Sequence, residues 1–289
     1  MKQAIKRALM TGYLGSGFPR VRNGLDRRRG RGRLTVLTYH QVKDPADDCS
    51  TVGVAAFRQQ MQYLKDHYRV VPLSGGVRAL SEPGHGERLV SITFDDGYRD
   101  NATIAAPILR ELGLTACFFV STDMIGTSRP FPHDVWQRRQ PQDHMTWDDV
   151  RGLAAGGFEV GSHTCSHADL GAISLDDAVG ELRLSRQRLE TELNAPIDLF
   201  SFPYGHPHNM RPDTIAAARA EYGICCCADG GHNIAPLDAG QVRRIVVSTG
   251  VGFLAFRAIL EGWPMLRLDN PYRAPLSHSH QPATENTPA

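Results

Sequence analysis

From residue 34 onward, short β-branched and apolar runs alternate with longer stretches whose apolar positions recur three and four apart. The short runs at 34–40, 69–72, 89–94, 116–121, 158–162, 199–202, 224–228 and 243–247 predict strands. Between them, 55–67, 101–112, 147–155, 175–193 and 212–222 predict amphipathic helices. This alternation argues for a repeated β/α layer, and about seven such units in roughly 220 residues favour a closed β/α barrel over an open sheet. Residues 126–146, rich in proline and polar side chains, interrupt the rhythm and predict a long loop over one barrel end, where loops commonly shape a substrate groove.

Composition changes the picture mainly at the two ends. A chain of 289 residues with 41% hydrophobic content can bury a sizeable core. The net charge of +1 conceals ten Lys/Arg against one acid, Asp26, in residues 1–33, so the leader carries +9 and the rest −8. Such a leader suits an anionic membrane surface, a nucleic acid or an acidic partner, and reads equally as a partly helical or disordered solvated arm. Of these, peripheral membrane contact is retained and nucleic acid is not expected. The leader lacks the uninterrupted apolar stretch of a secretory signal, and no run approaches a membrane span, so the expected location is cytoplasmic, with membrane association open. Residues 263–289 read as an extended tail, leaving 34–262 as one catalytic domain. The run Cys225-Cys226-Cys227 reads as small buried hydrophobes in a strand rather than a metal cluster.

Three strand-end segments carry chemistry. Asp95 and Asp96 follow the apolar run 89–94 and precede Gly97, so one carboxylate can bind a metal while the other meets a water; alone, this is also a common surface turn. His163 and His167 follow another strand four residues apart, a spacing that on a helical turn places both imidazoles on one face. With Asp96 they make a ligand set for Zn²⁺ or a similar ion, with a position left for water. Pro203, Tyr204 and Gly205 end a third strand in a turn that can aim backbone N–H groups at a substrate oxygen.

Together, Thr93-Phe94-Asp95-Asp96-Gly97, His163-Thr164-Cys165-Ser166-His167 and Phe202-Pro203-Tyr204-Gly205 resemble the polysaccharide deacetylase family. That family comprises the NodB-type deacetylases of carbohydrate esterase family four, and the nearest likeness is to its bacterial exopolysaccharide subgroup. The resemblance spans about 34–262. It implies a distorted (β/α)7 barrel that removes acetyl from an N-acetylated glycan or amino sugar. It also implies a divalent metal on Asp96, His163 and His167 (Zn²⁺ first, then Co²⁺, Ni²⁺ or Fe²⁺), Asp95 as general base and the Tyr204 N–H at the oxyanion.

Two departures matter. The Leu-x-His histidine that protonates the leaving amine in many members has no counterpart in residues 243–248, and His40, at the end of the first strand, is the expected replacement because first and last strands adjoin in a closed barrel. Ser201 stands where many members have the arginine that orients the base; Arg243 or Arg244 is the expected substitute, since a guanidinium can grip a carboxylate through two hydrogen bonds. Competing readings are a non-haem Fe(II) oxygenase, for which Asp95 has no use, a hydrolase of a small cyclic amide, and an inactive carbohydrate-binding domain.

Overall fold

The computed structural model describes residues 2–46, 48, 50–82, 84, 86–136 and 142–263. The extended tail expected at the C-terminus lies outside these residues from 264 onward.

Seven parallel strands form the barrel: β1 (Arg33–Tyr39), β2 (Arg88–Phe94), β3 (Cys117–Val120), β4 (Glu159–Ser162), β5 (Leu199–Ser201), β6 (Ile224–Cys227) and β7, a split strand of Val242–Arg243 and Ile245–Val246. They pair in chain order, β1 with β2 over seven residues and then on to β6. The lower half of β7 pairs with β6 (Val242 opposite Cys226), whereas its upper half pairs with β1 (Leu37 opposite Ile245). Splitting at Arg244 thus lets one strand bring the two sheet edges together into a nearly closed barrel. The expected strand at 69–72 is reduced to Arg69–Val70, a filler beside β2 where it splays from β3.

Alternation along the strands sorts side chains between two cores. Leu34, Val36, Leu89, Cys117, Phe119, Leu199, Ile224, Cys226 and Val242 form the barrel interior. Their neighbours Leu37, Ile92, Phe118, Val120, Cys225 and Cys227 join an outer core with Phe57, Met61, Leu64, Ile108 and Leu109 from the surrounding helices. The three adjacent cysteines are therefore free, buried packing residues shared between both layers.

Besides the short helix Pro132–Trp136 inside the expected loop, two helices among the described residues escaped the sequence pattern. Leu73–Ser81 plugs the lower end of the barrel, its Leu73, Val77 and Leu80 joining the interior cluster. Gly75 and Gly76 lower its helix propensity, but a Cβ at Gly76 would lie 2.8 Å from Leu34 Cδ1, so this helix needs the glycine to reach its seat. The Glu159 carboxylate, from the start of β4, accepts the Leu73 and Ser74 N–H groups at 2.6 and 3.1 Å and so caps the same helix. The other helix, Phe253–Leu260, packs against the leader, which is itself helical at Lys2–Gly15 and Phe18–Arg28. Among the described residues no helix is long and apolar enough to cross a membrane.

Candidate active site

The upper ends of the strands gather the polar residues. Asp95 extends β2 by one rung, its N–H bonded to the Tyr39 carbonyl at 3.0 Å, and by parity it points into the barrel with Ser91 and Thr93. The chain then turns through left-handed backbone at Asp96 (φ 75°) and Gly97 (φ 85°), which sends the two carboxylates in different directions. Arg244 meets Asp95 in a bidentate pair, Nη1 to Oδ1 and Nη2 to Oδ2, both at 2.7 Å. Nη2 also donates to Ser201 Oγ at 2.7 Å, and the guanidinium lies over the Phe119 ring. Burial pushes the Asp95 carboxyl upward, but the charge and hydrogen bonds of Arg244 outweigh it and hold the group below the usual carboxylate range.

Of the two arginines expected to orient Asp95, only Arg244 reaches it. Arg244 shares the inward parity of Val242, whereas Arg243 is exposed, so Arg243 is removed from the site. Ser201, where the resemblance leads one to expect an arginine, instead accepts from Arg244.

His163 follows β4 and donates from Nδ1 to the Ser201 carbonyl at 2.7 Å, which leaves Nε2 as a lone pair. The segment to His167 is not the helical turn expected from the spacing. Thr164 (φ 66°) and His167 (φ 61°) are left-handed, and the bend is held by the Glu181 carboxylate, which accepts from the N–H of Cys165 and Ser166 and from Ser166 Oγ. The imidazoles converge all the same, 4.9 Å between ring centres. Four of the five non-glycine residues with positive φ among the described residues (Asp96, Thr164, His167 and Tyr204) belong to this mouth, and backbone strain of that kind persists where surrounding structure over-determines it.

Asp96 Oδ1 lies 3.4 Å from His163 Nε2 and 3.2 Å from His167 Nε2. Donors bound at about 2.0–2.1 Å to one tetrahedral ion would stand roughly 3.3 Å apart, so this triad fits such an ion. The chemistry agrees. A lone pair on His163 faces a carboxylate oxygen across 3.4 Å, an arrangement that only a cation or proton between them makes favourable. Asp96 Oδ2 and His167 Nδ1 are buried without a hydrogen-bond partner.

His40 follows β1 with the inward parity of Leu34, Val36 and Thr38, and register places it beside Asp95, since Tyr39 pairs with Phe94. Its carbonyl accepts from Asn101 Nδ2 at 2.7 Å. Burial lowers the pKa of its imidazole, with Asp96 and Asp95 opposing the shift and Arg244 and His163 adding to it. Tyr204 sits at φ 61° with its ring centre 4.9 Å from that of His167, edge to face, and its N–H is taken by no described group. Gly205 is obligatory in this turn: φ is 63° and a Cβ would approach Ala228 N to 2.5 Å.

The long loop holds residues that the pattern did not single out. Phe131 packs against Tyr98, His144 and His167, and His133 Nε2 lies 3.1 Å from Tyr98 Oη and 3.7 Å from Asp96 Oδ2. The only sequence signal was an aromatic and a histidine, Phe131-Pro132-His133, inside an otherwise polar stretch. His232 proves to be at the opposite end, half-buried near the floor arginines and hydrogen-bonded to Thr35 Oγ1.

Comparison with known proteins points the same way. Residues 83–225 match a family model described as polysaccharide deacetylase. YxkH of Bacillus subtilis (strain 168) is 26% identical over 234 residues, covering 79% of this chain and 76% of that protein. Among solved structures, the deacetylase PplD of Streptococcus pyogenes, in complex with acetate, superposes with a TM-score of 0.67 at 23% identity, covering 80% of this chain and 98% of that one. IcaB from Ammonifex degensii does so at 0.64 and 22%, covering 79% and 97%.

Proposed function

Because the chain belongs to the polysaccharide deacetylase family, we propose that it is a metal-dependent N-deacetylase converting the acetamide of an N-acetylated sugar to free amine and acetate. The observation that carries this reading is the convergence of Asp96 Oδ1 and two imidazole Nε2 atoms beside a second carboxylate, Asp95, gripped by Arg244. Asp96, His163 and His167 would hold the ion, with Zn²⁺ the first candidate and Co²⁺, Ni²⁺ or Fe²⁺ alternatives. A divalent ion supplies Lewis acidity, lowering the pKa of a bound water from 15.7 toward about 7 and polarising a carbonyl.

The protein's own groups do the rest in this reading. Asp95, kept ionised and oriented by Arg244, takes the proton of the attacking water, a contribution of roughly 10²- to 10⁴-fold. The Tyr204 N–H donates to the oxygen that becomes negative as the carbonyl carbon turns tetrahedral. His40, on the far side of Asp95, delivers a proton to the nitrogen as the C–N bond breaks, so that amine and acetate leave. The substrate class is a poly- or oligosaccharide, a glycolipid or an amino-sugar intermediate, and a cytoplasmic location for the catalytic unit of residues 34–262 favours a biosynthetic intermediate over finished extracellular polymer.

The test is acetate release from a panel of N-acetylated glycans by metal-loaded wild type. Activity that collapses in Asp95→Asn supports the assignment; no acetate from any member of the panel would reject it. Metal binding has its own readout. Added Zn²⁺ should raise the melting temperature of wild type by preferential binding to the folded state, and His167→Ala should lose that rise.

A further inference from the structure

The second leader helix, Phe18–Arg28, is amphipathic in the reverse of the usual sense. Its half-buried or buried positions, Pro19, Arg22, Asn23 and Asp26, face the barrel floor. There Arg22 donates to the Glu261 carbonyl and Asn23 Nδ2 donates to Glu261 Oε2 at 2.9 Å. The opposite stripe is apolar and open to solvent: Phe18, Val21 and Leu25, three and four apart, are 57%, 64% and 45% exposed. On the first helix, Lys2–Gly15, Met10 is buried and Tyr13 packs on Trp263 at 5.0 Å, while Ile5 and Leu9 stand outward at 54% and 58%. Five of the nine large apolar side chains exposed among the described residues therefore sit on these two short helices.

Around that stripe the exposed charge has one sign. Arg7, Arg20, Arg27, Arg28, Arg29 and Arg31 are all exposed, and the leader's single acid, Asp26, is turned half inward. Positive charge continues onto the barrel floor, where Arg31, Arg33 and Arg88 line a cavity of about 190 Å³ beside the second helix. An apolar stripe rimmed by arginines on helices too short to span a bilayer is the composition of an interfacial anchor, whose apolar side chains enter the headgroup boundary while cations meet anionic lipid.

We propose that the docked leader is a membrane-surface anchor that binds the face of an anionic phospholipid bilayer through Ile5, Leu9, Phe18, Val21 and Leu25 and their surrounding arginines. The leader is pinned at the floor, where β1 and β2 begin, and β1 rises about 20 Å from there to the mouth. The bilayer would thus hold the barrel by its closed end, and the substrate reaches the mouth from the aqueous side. This inference is independent of the chemistry proposed for the mouth.

The experiment sediments the full chain with sucrose-loaded vesicles of phosphatidylcholine alone or mixed with phosphatidylglycerol, at low and high salt. The expected result is co-sedimentation with the anionic vesicles at low salt and little with the neutral ones. Leu9→Glu/Val21→Glu should weaken partitioning by about tenfold or more, and Arg28→Glu/Arg29→Glu likewise, each with a wild-type melting temperature. No vesicle binding, or equal binding to both compositions, would overturn the proposal. So would a concentration-dependent dimer in sedimentation velocity that the apolar substitutions abolish without any vesicle binding, because the stripe would then belong to a second copy of the chain.

Discussion

The barrel buries charge at both ends, and the two clusters are built on opposite principles. At the floor, Arg33 and Arg88 donate to the Leu260 carbonyl at 3.2 and 2.9 Å, and Arg22 donates to those of Glu261 and Gly262. These are the open carbonyls at the end of the last helix, whose partial negative charge suits cations. Glu261 opposes the charge of Arg33, but burial together with Arg88 and Arg22 outweighs it and lowers Arg33 to about 10. At the mouth the charges converge instead. Asp96 and two imidazoles turn acceptors toward one point, with Asp96 Oδ2 and His167 Nδ1 left without hydrogen-bond partners. A cluster that ties elements together spends its donors on backbone, whereas a cluster that awaits something aims its lone pairs at a common centre.

The sharpest way to break that contrast is Asp95→Asn. If the mouth is organised for proton transfer, acetate release should fall by roughly 10³-fold, with Zn²⁺-dependent stabilisation retained. Unchanged activity would place the base elsewhere. The same residue also tests how much of the mouth is merely structural. Breaking the buried pair from either side leaves an uncompensated charge, so Asp95→Asn and Arg244→Ala should each cost about 3–5 kcal/mol in denaturant unfolding. The double variant Asp95→Asn/Arg244→Met should recover much of that stability and none of the activity. Recovery of both would deny the pair any part in the reaction.

A smaller loss is expected at His40. His40→Asn should reduce kcat by about 10²-fold on a sugar substrate, whose amine cannot leave without a proton. The penalty should shrink on an activated anilide, which leaves more readily. Equal losses on both substrates would make His40 a binding residue.

The architecture was largely legible in the chain because it rests on periodicity. Each barrel strand coincides with a short apolar run, and the split of Cys225, Cys226 and Cys227 between inner and outer cores is strand alternation. The grouping of Asp96, His163 and His167 beside Asp95 was legible because Asp95-Asp96 and His163/His167 lie at strand ends. Long-range geometry was not. Whether Arg243 or Arg244 faces Asp95 depends on the parity of a strand that changes partners midway. The His163–His167 turn is shaped by Glu181, from another element, which no local spacing reveals. The plug helix at Leu73–Ser81 hides behind Gly75 and Gly76 because its seat and its cap come from Leu34 and Glu159. The leader's charge was plain, but its inverted amphipathicity appears only once the floor against which its polar face packs is in place.

The least effect, and the one most specific to the floor, concerns Glu261. Its carboxylate accepts from Tyr68 Oη at 2.6 Å and Asn23 Nδ2 at 2.9 Å and pairs with Arg88 at 3.1 Å. Burial raises its pKa, but these partners outweigh it and the group stays below its ordinary value of 4.5. An acid with a depressed folded pKa contributes stability that is fully present above its unfolded value and is lost as pH falls through the folded one. Glu261→Gln should therefore lower the melting temperature by a few degrees at pH 7, in keeping with a partly exposed pair worth about 1 kcal/mol. The difference from wild type should close as pH drops below the ordinary glutamate value. Acetate release should be unaffected, because the site lies at the other end of β1. A gap that stayed constant with pH would mean that Glu261 acts through packing rather than charge. A loss of activity without a loss of stability would mean that floor and mouth are coupled, and the division between a cluster that ties and a cluster that reacts would fall with it.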